Sequence, residues 1–400
     1  MKILQINKFP SVKGGSEVVL FDTIDLLRRK GHEVVLLSTD EGNIVYNPTY
    51  TIHYSDKDSS LRHRISHLHS FFYNKKAIKQ LESVIETEKP DIAHIHLYLN
   101  SLSQGILPIL KKKGIPIVMT LHDYRQICPS YLLLDKNLNI CERCIGGNYF
   151  NCMFTRCSKG SFIQSSLLTF EMYYRRFFYK TEKYVDKFIC VSDFVYNKHK
   201  EFNPAITHKS EIISNPIQKP STPPPFNRGD YLLYAGRLSS EKGLHTLLHA
   251  IKELPHIKLK IAGSGDLELN NIPPNVEILG FKHKDELSQL VENAMYTIIP
   301  SECYETFGLS CAESLALGTP VIASHIGALP EIVKHGENGF LFTPKSAEDL
   351  NKTIREAISL SDDTYIHMSN TAYESIQKFS GRNYINSLLK LYNELISRNS

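Results

Sequence analysis

Two glutamates near residue 310 have side chains that could take part in ligand binding or catalysis. Glu305 and Glu313 lie eight positions apart, the first just before a predicted helix and the second two turns inside it. Successive helical residues rotate by about 100°, so about 80° separates the two side-chain directions. Both carboxylates could therefore address one crevice and accept hydrogen bonds from a ligand there.

The turn that opens this helix is a predicted anion site. We expect Thr306 to cap a helix that runs to Ala316. The start of a helix offers backbone N–H groups that have no intrahelical partner, at the positive end of the helix dipole. A phosphate could bind the first-turn amides, which belong to Thr306, Phe307, Gly308 and Leu309.

A second candidate site is a loop that carries two cations. Arg237 and Lys242 lie five positions apart, between a predicted strand that begins at Tyr231 and a predicted helix that begins at Leu244. An arginine and a lysine on such a loop suit the two charges of a diphosphate. The alternative is ordinary surface charge, which most arginine and lysine side chains carry.

Histidine and glycine at strand ends give further candidates. His122 follows a predicted strand, Ile115 to Leu121, and the carboxyl ends of parallel strands are where α/β proteins bind ligands. Gly14 and Gly15 lie on the turn from the first strand to the first helix, and Gly263 begins a second glycine turn. Phosphates dock at such turns. The alternatives are a structural histidine and turns that simply need glycine.

A cysteine-rich insertion covers residues 126–160. Two residues separate Cys141 from Cys144, and four separate Cys152 from Cys157. Four thiolates in this pattern could hold a structural zinc that stiffens a loop poor in core residues. Unligated thiols are the alternative. A closed four-thiolate site has no open position, so such a zinc would not be the catalyst.

The elements that must position these groups form two βαβ systems. The first begins with strands at Lys2 to Asn7 and Glu33 to Ser38, joined by a helix, and the second begins at Tyr231. Each system predicts a parallel, doubly wound sheet. The proline-rich segment 220–229 is typical of a stiff linker between them.

Composition narrows the class of protein. The chain has 400 residues, 42% hydrophobic and 22% charged, which suits two or three globular domains with large cores. A net charge of +4 permits contact with phosphates or an anionic membrane, and we expect no nucleic-acid partner. No apolar run is long enough to span a membrane, and the N-terminus lacks a signal-peptide core. We therefore expect a cytoplasmic protein.

Two basic and aromatic stretches in the first half could face a membrane. Residues 61–89 and a predicted helix from Phe162 to Tyr184 mix arginine and lysine with phenylalanine and tyrosine. They could form a patch for an anionic lipid surface, which would place the protein at the inner face of the cell membrane. The alternative is helices packed through their apolar residues, with basic stems lying over the core.

Together the motifs resemble those of retaining glycosyltransferases of family 4. The resemblance rests on E-x7-E at Glu305, the GTPVIAS and G-x-x-P-E-I-V segments after it, and G-R-x-x-x-E-K-G at Gly236, and it extends over nearly the whole chain. It implies the GT-B fold, in which two Rossmann-like domains with doubly wound parallel sheets face each other across a cleft. The implied domains are 1–215 on the acceptor side, 216–380 for the nucleotide sugar, and a helix at 381–400 that crosses back to the N-terminal domain.

The resemblance implies that the donor diphosphate meets several of these groups. Arg237 and Lys242 would neutralise the leaving nucleoside diphosphate, helped by the glycine turns and the Thr306–Leu309 amides. Glu313 would accept hydrogen bonds from the ribose hydroxyls. Because the two cations would balance the diphosphate charge, we expect no catalytic divalent metal.

The transferred sugar is expected to meet His122 and Glu305. Through the resemblance, His122 would face this sugar and Glu305 would hold its hydroxyls. The catalytic group would thus comprise His122, Glu305, Arg237 and Lys242. In a front-face retaining mechanism the departing phosphate oxygen takes the acceptor proton, so no enzymic nucleophile is required.

These expectations describe an enzyme that moves a hexosyl group from a UDP- or GDP-sugar to a glycan or lipid-linked glycan. The product would carry an α-linkage in a surface polysaccharide such as O-antigen, capsule or exopolysaccharide. The alternatives are a non-catalytic partner subunit that binds nucleotide sugars and a sugar-nucleotide epimerase of the same fold. A dinucleotide-dependent dehydrogenase is disfavoured, because no G-x-G-x-x-G follows the first strand.

Overall fold

The fold consists of two compact units, seen in a computed structural model that describes residues 1–41, 48–52, 70–222 and 227–399. The first unit comprises Met1–Lys136, Cys141–Pro216 and the chain from Arg382 onward. The second comprises Asn137–Ile140 and Ile217–Gly381. The proline-rich residues 223–226 lie outside the described residues, as do residues 61–69 of the first basic stretch.

The first unit is built on a parallel sheet. Its seven described strands lie in the order β3-β2-β1-β4-β5-β6-β7. Their bounds are β1 Lys2–Ile6, β2 Glu33–Thr39, β3 Tyr50–Ile52, β4 Ile92–Ile95, β5 Ile117–Leu121, β6 Lys187–Cys190 and β7 Ser210–Ile212. Strands β1, β4 and β5 are almost entirely buried, as expected when helices cover both faces of a sheet.

Helices connect and cover these strands. In the described part of the first unit they are α1 Gly15–Arg29, α2 Lys75–Glu88, α3 Ile106–Lys112, α4 Phe150–Thr155, α5 Phe162–Phe178, α6 Thr181–Tyr184, α7 Asp193–Phe202 and α8 Pro204–Thr207. Ser161 caps α5 by accepting a hydrogen bond from the Gln164 amide. The predicted single helix Phe162 to Tyr184 is interrupted after Phe178, so that part of the prediction is wrong.

The second unit has the same architecture. Its six described strands lie in the order β10-β9-β8-β11-β12-β13, and every pairing is parallel. Their bounds are β8 Tyr231–Ala235, β9 Lys258–Ala262, β10 Val276–Gly280, β11 Tyr296–Ile299, β12 Val321–Ser324 and β13 Gly339–Phe342. The helices of its described residues are α9 Leu244–Lys252, α10 Lys284–Glu292, α11 Leu309–Ala316, α12 Leu329–Ile332, α13 Ala347–Ile358 and α14 Asp362–Ser375.

The last helix, α15 Gly381–Asn399, packs on the first unit. Tyr384, Leu388 and Tyr392 are buried in one cluster with Ile3 of β1 and Ile24 of α1. The chain therefore returns to its first unit after completing the second. The prediction of two doubly wound α/β domains with a returning C-terminal helix is confirmed. No helix among the described residues is long and apolar enough to cross a membrane.

Candidate active site

Each sheet contains one point where the strand order reverses. In the first unit this point lies between β1 and β4, and in the second between β8 and β11. Loops that leave adjacent parallel strands in opposite directions open a crevice at the carboxyl edge, which is where such sheets bind ligands. The loops after these four strands carry most of the predicted site residues.

In the second unit, the loops after β8 and β11 are packed directly against each other. Gly243 has a φ of +71°, and a Cβ atom there would lie 1.8 Å from the carbonyl oxygen of Pro300. The amide of Glu302 donates to the carbonyl of Glu241 at 2.8 Å. Only glycine fits this crossing, so the two loops are held at a fixed separation.

An ion pair joins these two loops at the reversal point. The Lys242 Nζ lies 2.6 Å from Glu305 Oε1, and the side chains are 25% and 15% exposed. The Ser301 hydroxyl donates to the same carboxylate oxygen at 2.6 Å. Burial opposes both charges, but their mutual attraction prevails, so the pKa of Lys242 is raised and that of Glu305 is lowered. Both groups are charged at neutral pH.

The backbone of Glu305 is fixed by a third loop, which follows β12. The Ala328 amide donates to the Glu305 carbonyl at 2.9 Å. Gly327 has a φ of +62°, and a Cβ atom there would lie 2.4 Å from the Glu305 nitrogen. The carboxylate is therefore held through its backbone as well as through its side chain.

Arg237 lies on the same loop as Lys242 and also has a carboxylate partner. Its Nη2 donates to Glu241 Oε1 at 2.7 Å, and the arginine side chain is 53% exposed. The Tyr234 hydroxyl donates to the Arg237 carbonyl at 2.7 Å. The loop thus presents one guanidinium that solvent or a ligand can reach and one ammonium that is largely enclosed.

The predicted glycine turn at Gly263 packs against the cationic loop. A Cβ atom on Gly263 would lie 1.8 Å from the Gly236 carbonyl oxygen. The Leu238 amide donates to the Ser264 carbonyl at 2.9 Å. This close approach between backbones is sufficient to explain glycine at 263, whatever its role toward a nucleotide.

The predicted start of the helix that carries Glu313 is wrong. Gly308, with a φ of +96°, is the N-cap of α11, so the helix begins at Leu309 and Thr306 does not cap it. A left-handed glycine breaks the helical path, so the 80° relation between Glu305 and Glu313 does not apply. Glu313 is an exposed residue one turn inside α11. The orphan amides of the helix start are those of Leu309, Ser310 and Cys311, whereas Thr306 and Phe307 precede it.

In the first unit, three polar side chains form a chain across the reversal point. His96 Nε2 lies 2.9 Å from Gln5 Oε1, and His96 Nδ1 lies 2.8 Å from His122 Nε2. These residues come from β1, from the end of β4 and from the end of β5. Since an amide oxygen can only accept, His96 donates from Nε2 and accepts at Nδ1 from His122 Nε2–H. This assigns the acceptor role in His122 to Nδ1.

Burial keeps this histidine cluster neutral. Desolvation lowers the pKa of His122 to about 3, and the pKa of His96 lies well below its usual value for the same reason. The neighbouring His94 has its pKa lowered to about 3 and contacts Tyr392 of α15 at 2.6 Å. A neutral His122 can exchange hydrogen bonds with a hydroxyl, but it carries no charge for a phosphate.

The Gly14-Gly15 turn is organised by a carboxylate that the sequence reasoning missed. Glu17 is buried, and its Oε2 accepts from the amides of Gly14 at 2.9 Å and Lys13 at 3.4 Å. Burial raises the pKa of this carboxyl. The amide of Gly14 is therefore already used within the turn, and Gly15 is the first residue of α1.

Other missed residues share a recognisable signal. His94 and His96 are two positions apart at the end of a strand, a spacing that points both side chains to the same face of a sheet, and their ring centroids lie 4.3 Å apart. Ser301 lies four residues before Glu305, and Glu241 lies inside the G-R-x-x-x-E-K-G segment, four residues after Arg237. Their spacing could have marked them as partners of Glu305 and Arg237.

The four cysteines of the predicted zinc site lie on α4 and in the chain around it. The neighbouring Cys157 thiol raises the pKa of Cys141, and burial raises the pKa of Cys144 to about 12. The Cys157 thiol also contacts the Thr155 hydroxyl at 2.9 Å. Among the described residues, which include Cys152 and the other three, no group of three or more His, Cys, Asp or Glu is arranged to hold a metal ion. The zinc prediction gains no support from this part of the chain.

Family models match both halves of the chain. The model described as Glycosyltransferase Family 4 matches residues 13–219, and the model described as Glycosyl transferases group 1 matches residues 219–375. The first match covers more than half of the 400 residues.

Relatives and solved structures agree with these matches. The chain is 29% identical over 345 residues to the uncharacterized glycosyltransferase MJ1178 of Methanocaldococcus jannaschii, covering 83% of this chain and 84% of the relative. It is 24% identical over 356 residues to an uncharacterized 42.6 kDa protein in the cps region of Klebsiella pneumoniae, covering 83% and 87%. A crystal structure of Anabaena Alr3699/HepE in complex with UDP and glucose, 18% identical, has the same fold, with a TM-score of 0.67 over 99% of this chain and 100% of that one.

Proposed function

The chain belongs to glycosyltransferase family 4, and from this premise we propose that it is a retaining enzyme that transfers a hexosyl group from a UDP- or GDP-sugar. The acceptor would be a hydroxyl of a glycan or lipid-linked glycan, and the product an α-linkage in a surface polysaccharide.

The ion pair between Lys242 and Glu305 is the observation that carries this proposal. The leaving group of the reaction is a nucleoside diphosphate, whose charge grows as the glycosidic bond breaks. Lys242 is held in place by the largely enclosed carboxylate of Glu305, and Arg237 lies on the same loop with an exposed guanidinium. Cations fixed in advance stabilise developing negative charge without first having to reorganise.

The donor would be bound by groups of the second unit around this pair. The amides of Leu309, Ser310 and Cys311 would receive a phosphate at the start of α11, supported by Gly308 and the helix dipole. Glu313 would accept hydrogen bonds from the ribose hydroxyls, which its exposed position in α11 permits. The backbone of the Gly263 turn would approach the diphosphate, and we propose the same role for the Gly14-Gly15 turn of the first unit.

The sugar would be oriented by Glu305 and His122. Glu305 has two carboxylate oxygens, and both Lys242 and Ser301 contact Oε1, so Oε2 would accept from a sugar hydroxyl. His122, which is neutral, would form a hydrogen bond with another hydroxyl of the sugar. The departing phosphate oxygen would take the proton from the attacking acceptor hydroxyl, so neither residue has to act as a nucleophile.

Two relatives support the choice of donor and pathway. The Anabaena structure of the same fold contains UDP and glucose, which supports a uridine donor. The Klebsiella pneumoniae relative is encoded in a cps region, which supports a role in polysaccharide assembly.

A donor panel tests the proposal. Purified protein is incubated with UDP- and GDP-sugars, with and without glycan acceptors, and release of the nucleoside diphosphate is measured. We expect acceptor-dependent release with one donor, retention of anomeric configuration in the product by NMR, and loss of release in Lys242→Met. The matched control is Lys258→Met, which removes an exposed lysine of the same unit that pairs with Asp230.

Two results would contradict the proposal. Tight donor binding without turnover for any acceptor would favour a non-catalytic partner subunit. Conversion of the nucleotide sugar itself, with no transfer, would favour an epimerase.

A further inference from the structure

Helix α5, Phe162–Phe178, is apolar on the side that faces away from the protein. Its inward side is buried through Ser165, Thr169 and Met172. A surface helix normally carries polar residues opposite its buried side, because that side faces water. Here the opposite side carries large hydrophobic residues instead.

The outward residues are spaced by two helical turns. Ile163, Phe170 and Phe177 follow one another at intervals of seven, so they lie in one stripe along the helix. They are 80%, 54% and 73% exposed. Scattered exposed hydrophobic residues are common, whereas an aligned row of them marks an interaction surface.

Neighbouring aromatic residues widen this stripe. Phe150 of α4 contacts Tyr173 with ring centroids 5.0 Å apart, and Tyr173 contacts Phe177 at 6.2 Å. Phe154 of α4 and Phe178 at the end of α5 are also strongly exposed. We call this surface, formed by Phe150, Phe154, Phe162, Ile163, Phe170, Tyr173, Phe177 and Phe178, the aromatic face.

Basic residues stand at both ends of the aromatic face. Arg156 and Lys159 precede α5, and Lys180 and Lys183 follow it, and all four are exposed. Inside the helix, Arg175 pairs with Glu171 in a buried position, so that pair adds no surface charge. Residues 156–161 and 179–184 hold these four basic residues and one acidic residue, Glu182, so the net charge at the two ends of the helix is positive.

We propose that the aromatic face rests on an anionic lipid membrane. Phenylalanine and tyrosine rings would enter the boundary between headgroups and acyl chains, and the flanking lysines and arginine would meet the lipid phosphates. The basic residues at the two ends of the helix are the reason for proposing a membrane rather than a second copy of the chain, because the positive charges of two copies would repel each other. This inference is independent of the proposed glycosyl transfer.

Vesicle flotation with the full chain tests the inference. The vesicles contain phosphatidylcholine alone or mixed with phosphatidylglycerol. We expect binding to the mixed vesicles, weaker binding at high salt, and at least about tenfold weaker binding for Ile163→Gln/Phe170→Gln/Phe177→Gln. Glutamine is chosen because it sustains a helix. The matched control is Phe281→Gln, which removes a phenylalanine of the second unit that is 65% exposed and should bind as the wild type does.

Three outcomes would overturn the inference. They are no binding of the wild type to mixed vesicles, equal binding of the triple variant, and equal loss in the Phe281 variant. Sedimentation velocity tests whether a second copy of the chain covers the aromatic face instead. If the wild type forms a dimer, does not bind vesicles, and the triple variant is monomeric, the aromatic face serves self-association. Circular dichroism melting curves check that the triple variant is folded, as expected for exposed positions.

Discussion

Lys242 and Glu305 lie 63 positions apart in sequence, yet their charged atoms are 2.6 Å apart. Each residue lies on a loop that begins at the carboxyl edge of a strand, and those strands, β8 and β11, are neighbours in the sheet. The pair therefore depends on the reversal of strand order, which sends the two connections to opposite sides and leaves their starting loops facing one another.

Replacement of Lys242 by methionine should affect activity and stability together. Turnover should fall by about a thousandfold, because a fixed cation at the leaving group is lost. Glu305 would remain as an enclosed carboxylate without its partner, which should cost about 3 kcal/mol. The double variant Lys242→Met/Glu305→Gln should regain stability in thermal unfolding without regaining activity. Equal stability of the single and double variants would show that the pair contributes little to folding.

Replacement of Arg237 by alanine should affect activity alone. The side chain is half-exposed and its pairing with Glu241 is local, so unfolding should change little. Turnover should fall by about a hundredfold, measured as nucleoside diphosphate release. Arg355→Ala, in an exposed arginine of α13, serves as the control. Near-normal turnover in Arg237→Ala would remove this residue from the diphosphate site.

Replacement of Glu313 by alanine should weaken nucleotide binding. Loss of a hydrogen bond from ribose to a carboxylate corresponds to about a tenfold to hundredfold weaker Kd. Isothermal titration calorimetry with UDP and GDP measures this change directly. Glu356→Ala, an exposed glutamate of α13, should bind as the wild type does. An unchanged Kd in Glu313→Ala would show that the ribose is held elsewhere.

The histidine cluster should make the protein sensitive to acid. The pKa values of His94 and His122 are lowered to about 3 in the folded state, and that of His96 is also lowered. Below about pH 6.5 the unfolded chain takes up protons that the folded chain does not, so stability is full above this pH and falls as the pH drops toward 3. With three such groups the slope could reach about 4 kcal/mol per pH unit.

Urea denaturation between pH 7 and pH 4 measures this slope. His94→Gln should reduce it by about one third, because one of the three groups is removed. His249→Gln, which changes an exposed histidine of α9, should leave the slope unchanged. A flat profile in the wild type would mean that the cluster is already protonated in the folded protein.

His96 should act as a positioning residue for His122. His96→Leu removes the acceptor of the His122 Nε2–H and should reduce kcat by about tenfold, since a buried donor is left without a partner. His96→Asn offers an oxygen near the former Nδ1 and should restore part of the activity. A purely structural role would predict that both variants lose activity in proportion to their loss of stability.

The sheets could be predicted from sequence because their strands are continuous apolar runs that only a buried parallel sheet accommodates. The site could be predicted in part, because Arg237 and Lys242 lie on a loop whose glycines indicate close packing between backbones. The start of α11 could not be predicted from sequence, because it depends on the left-handed conformation of Gly308, where Leu329 packs at the place a Cβ atom would occupy. The role of His96 could not be predicted from sequence either, because it depends on contacts with Gln5 and His122, which come from other strands.

The return of α15 to the first unit has a consequence for synthesis on the ribosome. Tyr384 contacts Thr23 at 2.8 Å, and Tyr392 contacts His94, so the first unit lacks part of its interior until α15 has been translated. The second unit needs no segment that is translated later, so it can fold while the chain is still attached to the ribosome. Premature termination just before the last helix would therefore release a chain whose later half is finished and whose earlier half is not.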